Sequence, residues 1–448
     1  MARILLRAHK NPLRAASVED SLEQNLLGSN AGNLVFSQAV YRLLSIDGNE
    51  LDTSGLLRKK PSQINADYDR VVIPLANAFR ASYLKTLESL ADLIEQLTIP
   101  VTVIGVGAQA SIGGEISRAG DVDAATTRFT RAVLNRSPSI GVRGEFTKDY
   151  LQGLGFGDEH VRVIGCPSMF MYGPDLTIQK RVESLGPQSR IALNISPYVK
   201  EMGPISLDHA ARYPNLVYMA QNRETLALML HGHYPYPEKK LESLRASGVP
   251  VYLDHPLIEE DRVRFFVDPR TWFDHLAGYD FSFGTRIHGN IAALLAGTPA
   301  LVLAHDSRTV ELAQYHHIPY RTVQSLGGDA DAAKLYAAAE WDSLNQGHPA
   351  NWRIFASYLG DHGLTHVYDE GQSAERFDSA LRAAPLPPPV GTLMGASPQE
   401  LYDMKARTST LSAELRAARK KLKAGPTVAP GPVSTVIRRV RNRIRRLR

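Results

Sequence analysis

The chain has 448 residues, about three times the usual length of one domain, and 44% of them are apolar and 22% charged, which excludes both a small module and a disordered chain. Its one cysteine, Cys166, excludes an internal disulfide and a cysteine-ligated zinc. The net charge of +5 is unevenly spread: residues 405–448 carry +13 and leave −8 for residues 1–404, so the globular body is acidic and no nucleic acid is expected as a partner.

The first residues mix Arg3, Arg7 and Lys10 into the early apolar run and do not read as a secretory signal. Short β-like runs follow at 4–8, 71–75, 101–106, 139–142 and 161–164, each succeeded by helical periodicity, which predicts a parallel sheet covered by helices over residues 1–186. After a Gly, Pro and Ser stretch near 186–189 the pattern restarts at 191–195, 216–220, 251–253, 265–267, 280–283 and 300–304, predicting a second α/β domain over 187–383. The expected class is α/β, with two doubly wound, Rossmann-like domains facing a cleft and a helical tail. The longest apolar stretch, 291–304, is broken by Gly297 and Pro299 and is too short to span a bilayer.

Beyond residue 383 the pattern changes. Residues 384–397 hold four prolines among alanines and glycines and read as a linker. Ser397-Pro-Gln-Glu400 then opens a helix whose residues Leu401, Met404, Thr408, Leu411, Leu415, Ala418 and Leu422 alternate steps of 3 and 4, predicting a short coiled coil over 398–424 and self-association. Within 425–448, Val433, Val436, Ile437, Val440, Ile444 and Leu447 share one helical stripe and seven arginines fill the rest. That is the pattern of a helix lying on an anionic membrane surface. The expected location is cytoplasmic, peripheral at the inner face of the cell membrane.

The run Phe281-Ser-Phe-Gly-Thr-Arg-Ile-His-Gly-Asn290 is the most informative stretch. It reads as strand, glycine turn and helix start, with Gly284 allowing close approach of a ligand and Asn290 in the first turns. Arg286 and His288 then stand where free N–H groups and the helix dipole favour a phosphate or carboxylate. In Gly28-Ser-Asn-Ala-Gly-Asn33, Asn30 or Asn33 is placed to cap a helix or to meet a ligand at the cleft. Other strand ends present Asn77, the run Gly105-Val-Gly-Ala-Gln109, and Arg143. Gly105 and Gly107 do not complete a dinucleotide fingerprint, and no P-loop lysine follows. Asp121 and Asp123 read as a helix start. His231, His233, His316 and His317 lack zinc-site spacing, so no metal is expected. Cys166 has no basic neighbour adjacent in sequence and reads as a buried thiol.

Taken together, Gly28–Asn33, Ile104-Gly-Val-Gly-Ala-Gln109, Ile140-Gly-Val-Arg-Gly144, Val163-Ile-Gly-Cys-Pro-Ser168, and Gly284-Thr-Arg-Ile-His-Gly289 followed by Ala296-Gly-Thr-Pro299 resemble the polysaccharide pyruvyl transferases. The likeness spans about residues 25–325 in consistent order, although many relatives carry Asp-Pro where this chain has Cys166-Pro167. The resemblance implies a glycosyltransferase-B-like fold, phosphoenolpyruvate as donor and no cofactor. As acceptor it implies a hydroxyl of a cell-envelope polysaccharide or of its precursor, such as a lipid-linked oligosaccharide. Arg286 and His288 would then carry the catalysis. Arg143, Gly284, Asn290, Asn30, Asn33, Asn77 and Gln109 would line the substrate site, with Arg143 reaching an anion from the facing domain. Three other readings stand beside it: a glycosyltransferase using a nucleotide sugar, against which no Glu occurs in 288–299, a non-catalytic glycan-binding scaffold, and nucleic-acid binding confined to the basic tail.

Overall fold

The computed structural model describes residues 1–110, 112, 120–326, 330–399 and 401. Fourteen strands fall within them: β1 Ala2–Leu6, β2 Asn49–Asp52, β3 Arg70–Pro74, β4 Asn77–Phe79, β5 Val101–Ile104, β6 Gly107–Ala108, β7 Ile140–Val142, β8 Val161–Val163, β9 Ile191–Asn194, β10 Leu216–Ala220, β11 Val263–Phe265, β12 Phe281–Gly284, β13 Ala300–Ala304 and β14 Tyr320–Thr322. The first sheet runs β2-β1-β3-β5, all parallel. The β7-β8 pair continues it through the bridge between Val106 and Val142 and the bond from Gly105 N to Gly141 O. The second sheet runs β11-β10-β9-β12-β13-β14, again all parallel. The expected pair of parallel α/β domains is therefore present.

The central strands were legible because a parallel sheet buries both faces, so Val101–Ile104, Ile191–Asn194 and Ala300–Ala304 are buried throughout. Residues 251–253 form no strand. Val251 N bonds back to Val249 O at 2.8 Å in a tight local turn, and the neighbouring strand is Val263–Phe265, two residues ahead of its expected place. β2 and β14 were not anticipated, being polar, partly exposed edge strands with no apolar run to announce them.

Two segments tie the domains together. The helix Gly32–Leu44 packs Leu34, Val35, Phe36 and Ala39 into the core of the second domain, and Val40, Tyr41, Leu43 and Leu44 into a core of the first. The helices Asp342–Asp361 and Glu375–Ala383, expected within the second domain, return to the first: Trp352, Phe355, Tyr358, Phe377 and Leu381 pack with Ile4, Leu6 and Val72, and Tyr358 Oη donates to Val103 O at 2.6 Å. The proline-rich segment after 383 lies against the body, since Val390 pairs with Phe265 at the edge of the second sheet and Thr392 N donates to Asp261 Oδ1 at 2.7 Å. Past residue 401, the coiled coil and the amphipathic helix expected in the tail lie outside the described residues. No helix among the described residues is long and apolar enough to cross a membrane.

Candidate active site

The carboxyl ends of both sheets face each other, and the second domain contributes the β12 junction. Gly284 has φ of 133°, and a Cβ there would lie 2.1 Å from Asn194 O on β9. The glycine is thus required by the neighbouring strand. Asn290 likewise serves the scaffold. It is fully buried, donates to Gly284 O at 2.9 Å and Arg286 O at 3.1 Å, and accepts from Ser282 Oγ at 3.0 Å. Its amide locks the strand-to-helix turn. What that lock presents is Arg286, the N-cap of the helix Ile287–Leu295, whose Nη2 donates to Asn222 Oδ1 and whose Cζ lies 5.6 Å from the centre of the Tyr198 ring.

One residue into that helix comes Ile287, then His288. Its Nε2 lies 3.6 Å from Cys166 Sγ, its ring centre is 5.8 Å from that of Phe36, and a Cβ on Gly32 would touch it at 2.8 Å. Burial first, then the charges of Arg143, Arg308 and Arg286, hold its imidazole well below the ordinary range, so His288 is neutral in the free protein. Cys166 is buried as expected, yet folding brings His288 and Arg143 beside it, a neighbourhood that adjacency in sequence could not show.

The first domain supplies Arg143 at the end of β7. It is 2% exposed, its Nε donates to Gly105 O at 2.8 Å, and a Cβ on Gly107 would meet its Cδ at 2.8 Å. Gly107 therefore makes room for an arginine, whereas a Cβ on Gly105 would meet Pro167 Cδ at 2.9 Å. Asn77 and Gln109 pack amide to amide, and Gln109 Nε2 lies 3.5 Å from Asp306 Oδ2 across the cleft. With its amide oxygen turned toward them, Asn77 accepts from Nη1 of Arg80 and Nη1 of Arg308, each at 3.2 Å. Asn30 and Asn33 act within their own loop: Asn30 Oδ1 accepts from Gly32 N at 2.9 Å and Asn33 Nδ2 donates to Leu27 O at 3.0 Å. The backbone of Asn30 bridges that of Asn222, which places this loop behind the partner of Arg286.

Arg80, Tyr198, His305, Asp306 and Arg308 were missed. A signal for two of them existed: Arg308 follows β13 at the next strand-to-helix junction after that of Arg286, and Arg80 follows Asn77 beyond β3. Arg308 Nη2 pairs with Asp306 Oδ2 at 2.9 Å. The Nε–H groups of Arg80, Arg286 and Arg308 are all buried without a partner. Four guanidiniums thus converge on two carboxylates, and one of those, Glu311 beside Arg143, is pushed up to about 7 by burial. Such an excess of desolvated cation, with donors left over, is an arrangement that a multiply charged anion would satisfy.

The family model of the polysaccharide pyruvyl transferases matches residues 30–307. The chain belongs to that family. Membership implies a transferase acting on polysaccharide, and the matched span contains Arg80, Arg143, Arg286 and His288. Among solved structures, the S. aureus MnaA–UDP co-structure is 12% identical, with 83% of this chain and 100% of that one covered at a TM-score of 0.43. The Methanocaldococcus jannaschii UDP-GlcNAc 2-epimerase in complex with UDP-GlcNAc and UDP is 11% identical, with 80% and 99% covered at 0.44. Anabaena Alr3699/HepE in complex with UDP and glucose is 12% identical, with 81% and 96% covered at 0.38. No curated protein sequence gives a significant match.

Proposed function

We propose that this protein transfers the pyruvyl group of phosphoenolpyruvate to hydroxyls of a cell-envelope polysaccharide or its precursor, closing a pyruvate ketal. The observation that carries the reading is the set of unpartnered guanidinium Nε–H groups on Arg80, Arg286 and Arg308, with Arg143 buried behind them. Phosphoenolpyruvate bears a carboxylate and a dianionic phosphate on three carbons, and planar guanidiniums bind each of those groups through two parallel hydrogen bonds. A bound donor offsets the arginine charges that add to burial in depressing His288, which raises its imidazole, and His288 is the group we assign to protonate the donor methylene. The cationic C2 that results is attacked by the sugar hydroxyl. The basic tail supports a lipid-linked acceptor at the inner face of the membrane, since its arginines and apolar stripe suit an anionic surface.

The test is release of inorganic phosphate from phosphoenolpyruvate in the presence of glycan acceptors, with the product weighed for a pyruvyl increment. Acceptor-dependent release is expected from the wild type and from no reaction containing a nucleotide sugar alone. Transfer of a sugar from a nucleotide donor without phosphoenolpyruvate would replace this reading by the glycosyltransferase one.

A further inference from the structure

Adding a sugar hydroxyl to C2 requires a group that takes the hydroxyl proton, and His288, enclosed and acting as the acid, does not serve for that. Tyr198 stands at the mouth of the cationic cluster. It is 50% exposed, its ring lies against the Arg286 guanidinium, and its Oη is 3.4 Å from His305 Nε2. His305 follows β13, its side chain is only 9% exposed, and the same Nε2 lies 3.5 Å from Asp306 Oδ2. A half-exposed phenol thus fronts an enclosed imidazole, which is backed by a carboxylate. We propose that Tyr198 and His305 form the proton relay on the acceptor side: the phenol oxygen takes the proton of the attacking hydroxyl while its own proton passes to His305 Nε2, and Asp306 stabilises the imidazolium. This assignment rests on the pyruvyl-transfer reading.

The steps balance. In the first addition the acid's proton goes to C3, the acceptor O–H breaks, its oxygen bonds C2, and one proton ends on His305. In the second, the C2–O bond to phosphate breaks with its electron pair leaving on phosphate, and the second hydroxyl bonds C2. The proton held by His305 leaves with the phosphate, the second hydroxyl's proton then passes through Tyr198 to His305 and on to solvent, and the acid regains its proton from solvent.

The charges around the relay explain why two residues are needed. His305 faces Asp306, Arg308, Arg286, Glu201 and the Tyr198 hydroxyl, and in the free protein burial, Arg308 and Arg286 push it down to about 4. Tyr198 faces Arg286, Arg308, Asp306 and His305, and the two arginines lower its phenol. A bound anion offsets both arginines. The phenol then rises and is a poor base alone, and the imidazole rises too, with burial still opposing its charge and Asp306 favouring it.

The test uses the full chain with Tyr198→Phe, which keeps the ring on Arg286, with His305→Gln, and with the double variant. Phosphoenolpyruvate binding is measured by calorimetry, and pyruvyl transfer is followed from pH 5 to 9. Each single variant is expected to bind the donor within threefold of wild type and to lose transfer by about 100-fold or more, the double variant losing no more than the worse single. The wild-type acid limb, lying above about 4, should vanish in His305→Gln. Tyr198→Phe transferring within threefold of wild type, losses that multiply in the double variant, or an acid limb unchanged in His305→Gln each overturns the relay while leaving the donor reading intact. A wild type that neither binds phosphoenolpyruvate nor transfers pyruvate overturns the donor reading, and the relay with it. A variant that loses donor binding places its residue in the anion site, which also overturns the relay.

Discussion

The two domains meet in two places built on opposite electrostatic plans. Along the seam, charge is matched: Lys10 of the first domain and Asp268 of the second form an ion pair with side chains 2% and 1% exposed. In the cleft, Arg80, Arg286 and Arg308 keep buried donors with no partner. Arg308 shares Asp306 and Arg286 meets Asn222, yet guanidiniums still outnumber carboxylates there, so the seam is where the domains hold each other and the cleft is, on the proposed reading, where a third, anionic party belongs.

The largest effect should come from the cleft. Arg286→Lys retains the charge and loses the fork, and we expect transfer to fall by about 100-fold or more while the unfolding midpoint stays near that of wild type. Equal loss of turnover from the seam variant described next would erase the distinction. Lys10→Met leaves Asp268 buried without its cation and should lower stability by about 3–5 kcal/mol at pH 8, read by denaturant unfolding. Burial already pushes Asp268 up to about 6, so without Lys10 it takes up a proton at pH 5 and the deficit there should be smaller.

A finer test is Glu311→Gln. The folded value of about 7 lies above the ordinary 4.5, so the contribution of Glu311 to stability is complete below about 4.5 and is lost as pH rises through about 7. Wild type should therefore lose on the order of 1–3 kcal/mol between pH 5 and 8 that the glutamine variant keeps. A parallel pH dependence in the two proteins would show that Glu311 is ionised throughout and belongs with the matched charges. The smallest effect is expected from Asn30→Ala, which removes the bonds to Gly32 N and Ser29 Oγ and should cost about 0.5–1 kcal/mol without changing donor affinity.

Arg286, His288 and Arg143 were legible because each follows a buried strand by a few residues, and in parallel sheets such positions face the cleft. At Gly284 and Asn290 the same logic left out the scaffold: a strand-end glycine or amide also serves a neighbouring strand, and only the position of Asn194 shows it. Tyr198 and His305 were illegible for another reason. They are 107 positions apart and acquire meaning only when β9 and β13, two strands away from each other in the sheet, bring their following loops together. The domain assignment of 342–383 was unreadable locally as well, because Trp352 and Phe355 look like any helix core until β1 is seen beneath them.

The helix Gly32–Leu44 behaves as a shaft with one end set in each domain. Its first turn presses Gly32 against His288, and its last turns are gripped by the strands of the other half of the molecule. A swing of one domain relative to the other cannot leave this shaft at rest with respect to both. Any motion that opens the cleft for a bulky glycan must therefore either draw Gly32 off the imidazole or strain Val40 to Leu44 in their own bed. Mechanical position and the environment of His288 are in this way the same variable, and the shaft is where the opening of the enzyme would be felt by its chemistry.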